Sequence, residues 1–131
     1  MIIQPTAWEH SREKTMEIVE ILDKKTHVVV NVISDDFALH EVTKVSSKIA
    51  AQLQKMDYPK TIIDLNGVQY IDTSGIGFIA NTKNLLKNRT SELIVVCNNE
   101  NILDIMRIIK LNTLVKIFAT LEAAELYITS S

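Results

Sequence analysis

Thr61-Ile62-Ile63-Asp64-Leu65-Asn66-Gly67-Val68-Gln69-Tyr70-Ile71-Asp72-Thr73-Ser74-Gly75-Ile76-Gly77 decides how this chain folds. Its first five residues are a short β-branched run bounded by polar residues, the pattern of a strand buried on both faces. Its last six set Asp, Thr and Ser, all preferred helix N-caps, against a pair of glycines. A helix therefore opens soon after a strand has ended. Two of the chain's three glycines fall in Gly75-Ile76-Gly77, and glycine beside a cap lets a helix start come close to a neighbouring backbone.

Outward from this stretch the same alternation repeats. On its N-terminal side, Val42, Val45, Ile49, Leu53 and Met56 recur at helical spacing within Glu41 to Met56. Tyr58-Pro59 ends that helix, because the residue before a proline avoids helical geometry. Further upstream, Met16–Leu22 and His27–Ile33 are apolar β-favouring runs separated by Asp23-Lys24-Lys25-Thr26, which predicts a hairpin. On the C-terminal side a helix is expected over Ser74–Lys87, with Ile76, Ile79, Ala80 and Leu86 turned inward. Leu93–Cys97 predicts a strand, and Asn101–Lys110 a helix with Ile102, Ile105, Met106 and Ile109 on its main face. Val115–Phe118 and Leu121–Ile128 close the chain as strand and helix.

This order predicts an α/β fold: one domain with a mixed, mostly parallel sheet and about four helices packed mainly on one face. Ile62, Ile63, Val95 and Val96 are its expected core. The 131 residues suffice for one domain with a sizeable core. The boundaries read as an N-terminal extension over 1–15 and a domain over 16–131.

Charge and composition exclude several function classes. Fourteen Lys and Arg against sixteen Asp and Glu leave a formal net charge of −2, with no basic stripe for nucleic acid. No apolar run approaches the roughly 20 residues of a membrane span, and the N-terminus lacks the apolar centre of a secretory signal, so a cytoplasmic location is expected. The single Cys97 can form no intrachain disulfide. It ends a strand and reads as a small buried hydrophobe.

Catalytic inventories fail here. His10, His27 and His40 show no metal-ligand spacing, and structural or surface roles suit the latter two better. Gly75-Ile76-Gly77 fits neither phosphate-binding glycine pattern, and Ser74 is not in a nucleophile-elbow frame. No acid–base pair or nucleophile–base constellation can be named, so the chain reads as a non-enzyme without cofactor or metal. Two readings of Asp72-Thr73-Ser74 stay open on physics alone. One is a plain helix cap. The other is an exposed serine that a kinase can reach, at a helix N-terminus that tolerates the phosphate.

The quoted stretch resembles the signature of the STAS domain: an apolar strand, an aromatic-flavoured approach, then Asp-Ser/Thr-Ser/Thr-Gly-Leu/Ile-Gly. The likeness runs from about Met16 to Ile128, because the order of expected elements also matches. The family contains bacterial anti-sigma factor antagonists and the cytoplasmic tails of sulfate transporters. For an antagonist, the resemblance implies Ser74 as phosphoacceptor, with Asp72 supporting phosphorylation and docking and Thr73 as the first hydroxyl. Asp72, Thr73, Ser74, Gly75, Ile76, Asp35 and Asp36 are then the expected partner-binding residues. The implied partners are an anti-sigma factor serine kinase with a histidine-kinase-like ATPase fold, and a PP2C-type phosphatase that resets the switch. Unphosphorylated antagonist binds the kinase and frees the sigma factor. The implied state is a monomer or weak homodimer, with no nucleic acid bound and no membrane insertion. The alternatives are a stressosome-type scaffold and a lone STAS subunit of a lipid or small-molecule transport system.

Two places depart from the family pattern. Where members carry Gly-x-Leu-Asp, this chain reads Asp35-Asp36-Phe37-Ala38, so Ala38 takes the acidic position. After the third helix a customary glycine is Thr113, and Asn112 is expected to make the left-handed turn in its place. For residues 1–15, with Pro5 and Trp8, a tail, an added edge strand and a docking element are all open readings.

Overall fold

The computed structural model describes residues 13–15, 18–88 and 91–130. Its main sheet has six strands in the order β1-β2-β3-β5-β7-β8: β1 Glu13–Thr15, β2 Val19–Asp23, β3 Val28–Val32, β5 Lys60–Asp64, β7 Glu92–Val96 and β8 Lys116–Phe118. β1 pairs antiparallel with β2, and β2 antiparallel with β3. From β3 onward the pairs are parallel, with Val30 beside Ile63 and Ile63 beside Val95. Each parallel step moves one strand along the sheet through one helix: α1 Leu39–Gln54, α2 Thr73–Lys87 and α3 Glu100–Ile108. A fourth helix, α4 Leu121–Ser130, closes the chain. The fold is the expected α/β domain, with a mixed and mostly parallel sheet.

Strand alternation sorts the core into two layers. Val28, Val30, Val32, Ile63 and Val95 face α1, α2 and α3, where Val45, Ile49, Leu53, Ile79 and Ile102 meet them. Val29, Ile62, Ile94 and Val96 point to the other face, which α4 covers through Ala124. All four expected core residues are fully buried. Successive side chains of a strand leave on opposite faces, so a continuous apolar run supplies both layers at once.

His27 is buried at the hairpin, where its Nδ1 meets the Thr26 hydroxyl at 2.8 Å and its Nε2 meets a Glu125 carboxylate oxygen at 2.9 Å, tying α4 to the sheet. His40 is exposed in the first turn of α1, and His10 lies outside the described residues.

Several local expectations are corrected. α1 begins at Leu39, two residues before the predicted start, and β7 ends at Val96 rather than Cys97. Phe78 is buried and stacks edge-on against Phe37, whereas Ala80 is only half-buried. On α3, Ile102 and Met106 enter the core, but Ile105 and Ile109 stay largely on the surface. The left-handed residue after α3 is Lys110, with φ 63°, not Asn112. The chain turns directly at the end of α3, and Leu111–Thr113 then form a short 3-10 turn that buries Leu111.

Candidate functional site

Between β5 and α2 the chain forms half of a two-stranded parallel ribbon apart from the main sheet, a strand pair the sequence reading did not anticipate. In it β4, Asp36–Phe37, lies beside β6, Tyr70–Ile71. The carbonyl oxygen of Asp35 accepts from the backbone N–H of Gln69 at 2.7 Å and of Tyr70 at 3.1 Å. The Asp35-Asp36 corner is thus joined to the approach of Asp72-Thr73-Ser74. Residues more than thirty apart in sequence share one end of the domain.

Asp72 holds this end together. As N-cap of α2, its Oδ1 accepts from the N–H of Ser74 at 2.9 Å and of Gly75 at 3.2 Å. Its Oδ2 accepts from the N–H of Leu39, the first residue of α1, at 3.1 Å. The first N–H groups of any helix lack intrahelical acceptors, and a carboxylate also matches the positive end of the helix dipole. One side chain serves two helices. Ala38, the N-cap of α1, has no capping oxygen, and that helix start is served by Asp72 from outside and by Glu41 Oε1, which accepts from the Ala38 N–H at 3.1 Å. α3 and α4 are capped locally instead, by Asn99 and Thr120.

Gly75 is required by close approach. A Cβ placed there would collide with the carbonyl oxygen of Phe37 and with the Ile71 side chain. Gly77 faces open space.

The two hydroxyls look onto different surfaces. Ser74 is half-buried at a groove of about 490 Å³ between α1 and α2, with Val42, Ser46, Ala50, Gly77 and Phe78 among its lining. Thr73 is exposed and lines a separate apolar cleft of about 380 Å³ with Ile71, Asp72, Ile76, Ile105 and Ile109. Asp35 and Asp36 are exposed, and so are Tyr70 and Leu39 at the same end. The structure therefore brings Asp35, Asp36, Asp72, Thr73 and Ser74 to one end, with Gly75 and Ile76 buried beneath them. Sequence reasoning missed Leu39 and Tyr70. Leu39 lies one residue past Ala38, and the missing cap there was the available signal. Cys97 is buried, and burial pushes its thiol above the ordinary range.

Among the described residues, no group of His, Cys, Asp and Glu could hold a metal ion, and no helix is long and apolar enough to cross a membrane. The arrangement offers a capped helix start that presents a hydroxyl beside exposed carboxylates.

A sheet of this topology, with such a motif opening its second crossover helix, defines the class of STAS domains. The STAS domain family model matches residues 19–124, and the chain belongs to that family. Solved structures with the same fold include an anti-sigma factor antagonist from Mycobacterium paratuberculosis, at 21% identity and TM-score 0.76. That match covers 85% of this chain and 92% of the other. The anti-sigma factor antagonist SpoIIAA in its unphosphorylated form is similar at 16% identity and TM-score 0.73, over 86% of this chain and 97% of its own. A murine anion transporter, Slc26a9, matches at 16% identity and TM-score 0.68, over 81% of this chain and 18% of its own length. A comparison of the sequence with curated proteins found no match.

Proposed function

We propose that this chain is an anti-sigma factor antagonist, a non-enzymatic module switched by phosphorylation of Ser74. In this reading the unphosphorylated form binds an anti-sigma factor serine kinase of the histidine-kinase-like ATPase fold and releases the sigma factor. A PP2C-type phosphatase reverses the modification. Residues 16–131 are the working domain, and 1–15 are an extension whose residues 13–15 supply the edge strand β1.

The observation that supports this most is the placement of Ser74. It sits in the first turn of a helix whose leading N–H groups are already taken by Asp72, at the mouth of the α1–α2 groove and at the end that carries Asp35 and Asp36. A phosphate adds about −1.5 to −2 charges at neutral pH. The helix N-terminus offsets part of that charge, so the fold survives. A partner built against a neutral hydroxyl would have to desolvate the new charge next to Asp72. Leaving a charge unpaired at an interface costs roughly 2–5 kcal/mol, about a thirtyfold to several-thousandfold loss of affinity.

The test is direct. Protein isolated from its own cells, and protein incubated with the anti-sigma factor kinase of those cells and Mg-ATP, should gain one phosphate by intact mass, mapped to Ser74. Ser74→Ala should take none and still bind the kinase, while Ser74→Asp should bind more weakly and melt normally. A phosphate on Thr73 alone, or full-strength binding by Ser74→Asp, overturns the switch. Absence of modification combined with tight binding to a membrane transport ATPase would favour the transport reading.

A further inference from the structure

Helix α3 leaves apolar surface uncovered, and the free charges around that surface have one sign. Ile102 and Met106 enter the core, but Ile105, Ile108 and Ile109 are 36%, 78% and 50% exposed. Side chains this close on one helix make a contiguous patch rather than scattered singles. Ile105 and Ile109 form one wall of the cleft of about 380 Å³, and Thr73 and Ile76 on α2 form the other. Ile108, next to Ile109, projects into solvent.

The acids of α3 are turned away from this patch and already matched. Glu100, Asp104 and Arg107 form the stripe one residue behind Asn101, Ile105 and Ile108. Arg107 bonds Asp104 at 2.7 Å and reaches Glu100 at 4.0 Å. It lines a different cavity, with Leu103 of α3 and with Ile117 and Phe118 of β8. On α2 the flank that carries Ile76 continues at helical spacing through Ala80, Lys83 and Lys87, and that helix has no acidic residue. Lys110 follows Ile109 in the left-handed turn after α3. Lys83, Lys87 and Lys110 make no ion pair among the described residues. Asp72 is the one carboxylate in the cleft lining, and its oxygens already accept from three N–H groups at two helix starts.

We infer that this patch is a docking surface for an acidic amphipathic helix of another protein. The helix seats a large apolar side chain in the α2–α3 cleft and sets Asp or Glu residues against Lys83, Lys87 and Lys110. A helix laid into a groove is read through such apolar anchors, and complementary charge selects among the helices that fit. Charge and shape also choose between occupants. A second copy would bring lysines onto lysines, because its own acids are taken up by Arg107 and by the helix starts. A lipid surface asks for about four to eight clustered cations and for apolar side chains that project. Here Ile105 and Ile109 wall a recess, and only Ile108 stands out. The Ser74 groove lies on the other flank of α2, between α1 and α2, so the docked helix leaves that serine open.

Two labelled synthetic peptides of about twenty residues test this without any kinase, so the outcome is separate from that of the phosphorylation experiment. Both carry leucine at helical i, i+3, i+4, i+7 spacing; one has glutamate at its flanking positions and the other lysine. By fluorescence anisotropy the glutamate peptide should bind at least about tenfold more tightly than the lysine peptide, and more weakly as salt is raised. Amide shifts of the unmodified protein should map its site to Ile76, Lys83, Ile105 and Ile109. Ile108→Asp, at a side chain that contributes little to the core, should lower the affinity about tenfold or more while melting like the parent. Lys87→Glu with Lys110→Glu should reverse the preference toward the lysine peptide. Binding of neither peptide, equal binding of both, or shifts confined to the α1–α2 groove overturns the inference. So does binding to phosphatidylglycerol vesicles without binding to the peptide, which gives the patch to a membrane. A dimer in sedimentation velocity that Ile108→Asp abolishes overturns it too, and gives the patch to a second copy.

Discussion

Replacing Asp72 with alanine removes three acceptor contacts at once, and the structure sets the size of the effect. Two of them cap α2 through Ser74 and Gly75, and loss of an N-cap side chain costs about 1 kcal/mol, within a range of roughly 0.5–2. The third leaves the Leu39 N–H without its acceptor at the start of α1, where Ala38 offers no substitute. Hydrogen bonds to ionised groups contribute roughly 1.5–3 kcal/mol, and this one lies near solvent, which lowers its share to about 1. The sum is about 2–3 kcal/mol. For a domain of this size each kcal/mol moves the melting temperature by roughly 3–4 °C, so Asp72→Ala should melt about 6–12 °C lower. Asp72→Asn separates the two roles. Its amide oxygen can still cap α2, but its nitrogen would face the Leu39 N–H donor to donor, so only about 1 kcal/mol should be lost. Thermal melts by circular dichroism, with urea titrations to confirm an unchanged m value, are the assay. A drop of less than about 2 °C for alanine, or an asparagine variant as unstable as the alanine one, would refute the two-helix staple.

Three further outcomes follow from the same geometry. Gly75→Ala forces a methyl against the Phe37 carbonyl and Ile71 and should cost about 1–3 kcal/mol, whereas Gly77→Ala meets open space and should be neutral or stabilising by up to about 1 kcal/mol; equal melting temperatures would contradict this. Cys97 should react slowly with a thiol reagent in the native protein and quickly in denaturant, since it is buried and burial raises its pKa; equal rates would place it at the surface. Burial raises the Glu92 carboxyl, but the Lys60 ammonium at 2.7 Å and the Tyr127 hydroxyl at 3.1 and 3.2 Å outweigh it and hold it below the ordinary range. Its contribution is therefore present above the unfolded value of about 4.3 and lost as the pH falls through the lower native one. Glu92→Gln should be less stable than the parent at pH 7, and the gap should close in acid; a gap constant down to pH 2 would show that the ion pair contributes nothing.

The order of elements was legible because it depends on local periodicity. Val45, Ile49 and Leu53 repeat at helical spacing and are buried as that spacing requires. The runs at 61–65 and 93–97 were long enough to be strands, and Ile62, Ile63, Val95 and Val96 fill both sides of the sheet. Less was legible where a residue's place depends on what packs against it. The spacing of Ile105 and Ile109 promises a buried face, but α2 does not come near enough to cover them, and a cleft remains. Asn112 suits a left-handed turn, yet Lys110 makes it, because the chain must bend at the end of α3 to bury Leu111.

At the site the division follows the same line. The sequence by itself determined that a helix starts at Asp72-Thr73-Ser74, since capping is a bond between near neighbours, whereas the structure decided that Gly75 and not Gly77 is the glycine at a close approach. Only the tertiary structure decided that this carboxylate also caps α1, thirty-three residues earlier in the chain. It alone joined Asp35 and Asp36 to the same end through the ribbon of β4 and β6. It alone turned Ser74 toward one groove and Thr73 toward another. Adjacent residues in a helix point about 100° apart, but what each then faces is fixed by how α1 and α3 pack on either side of α2, and no local pattern in the sequence carries that packing.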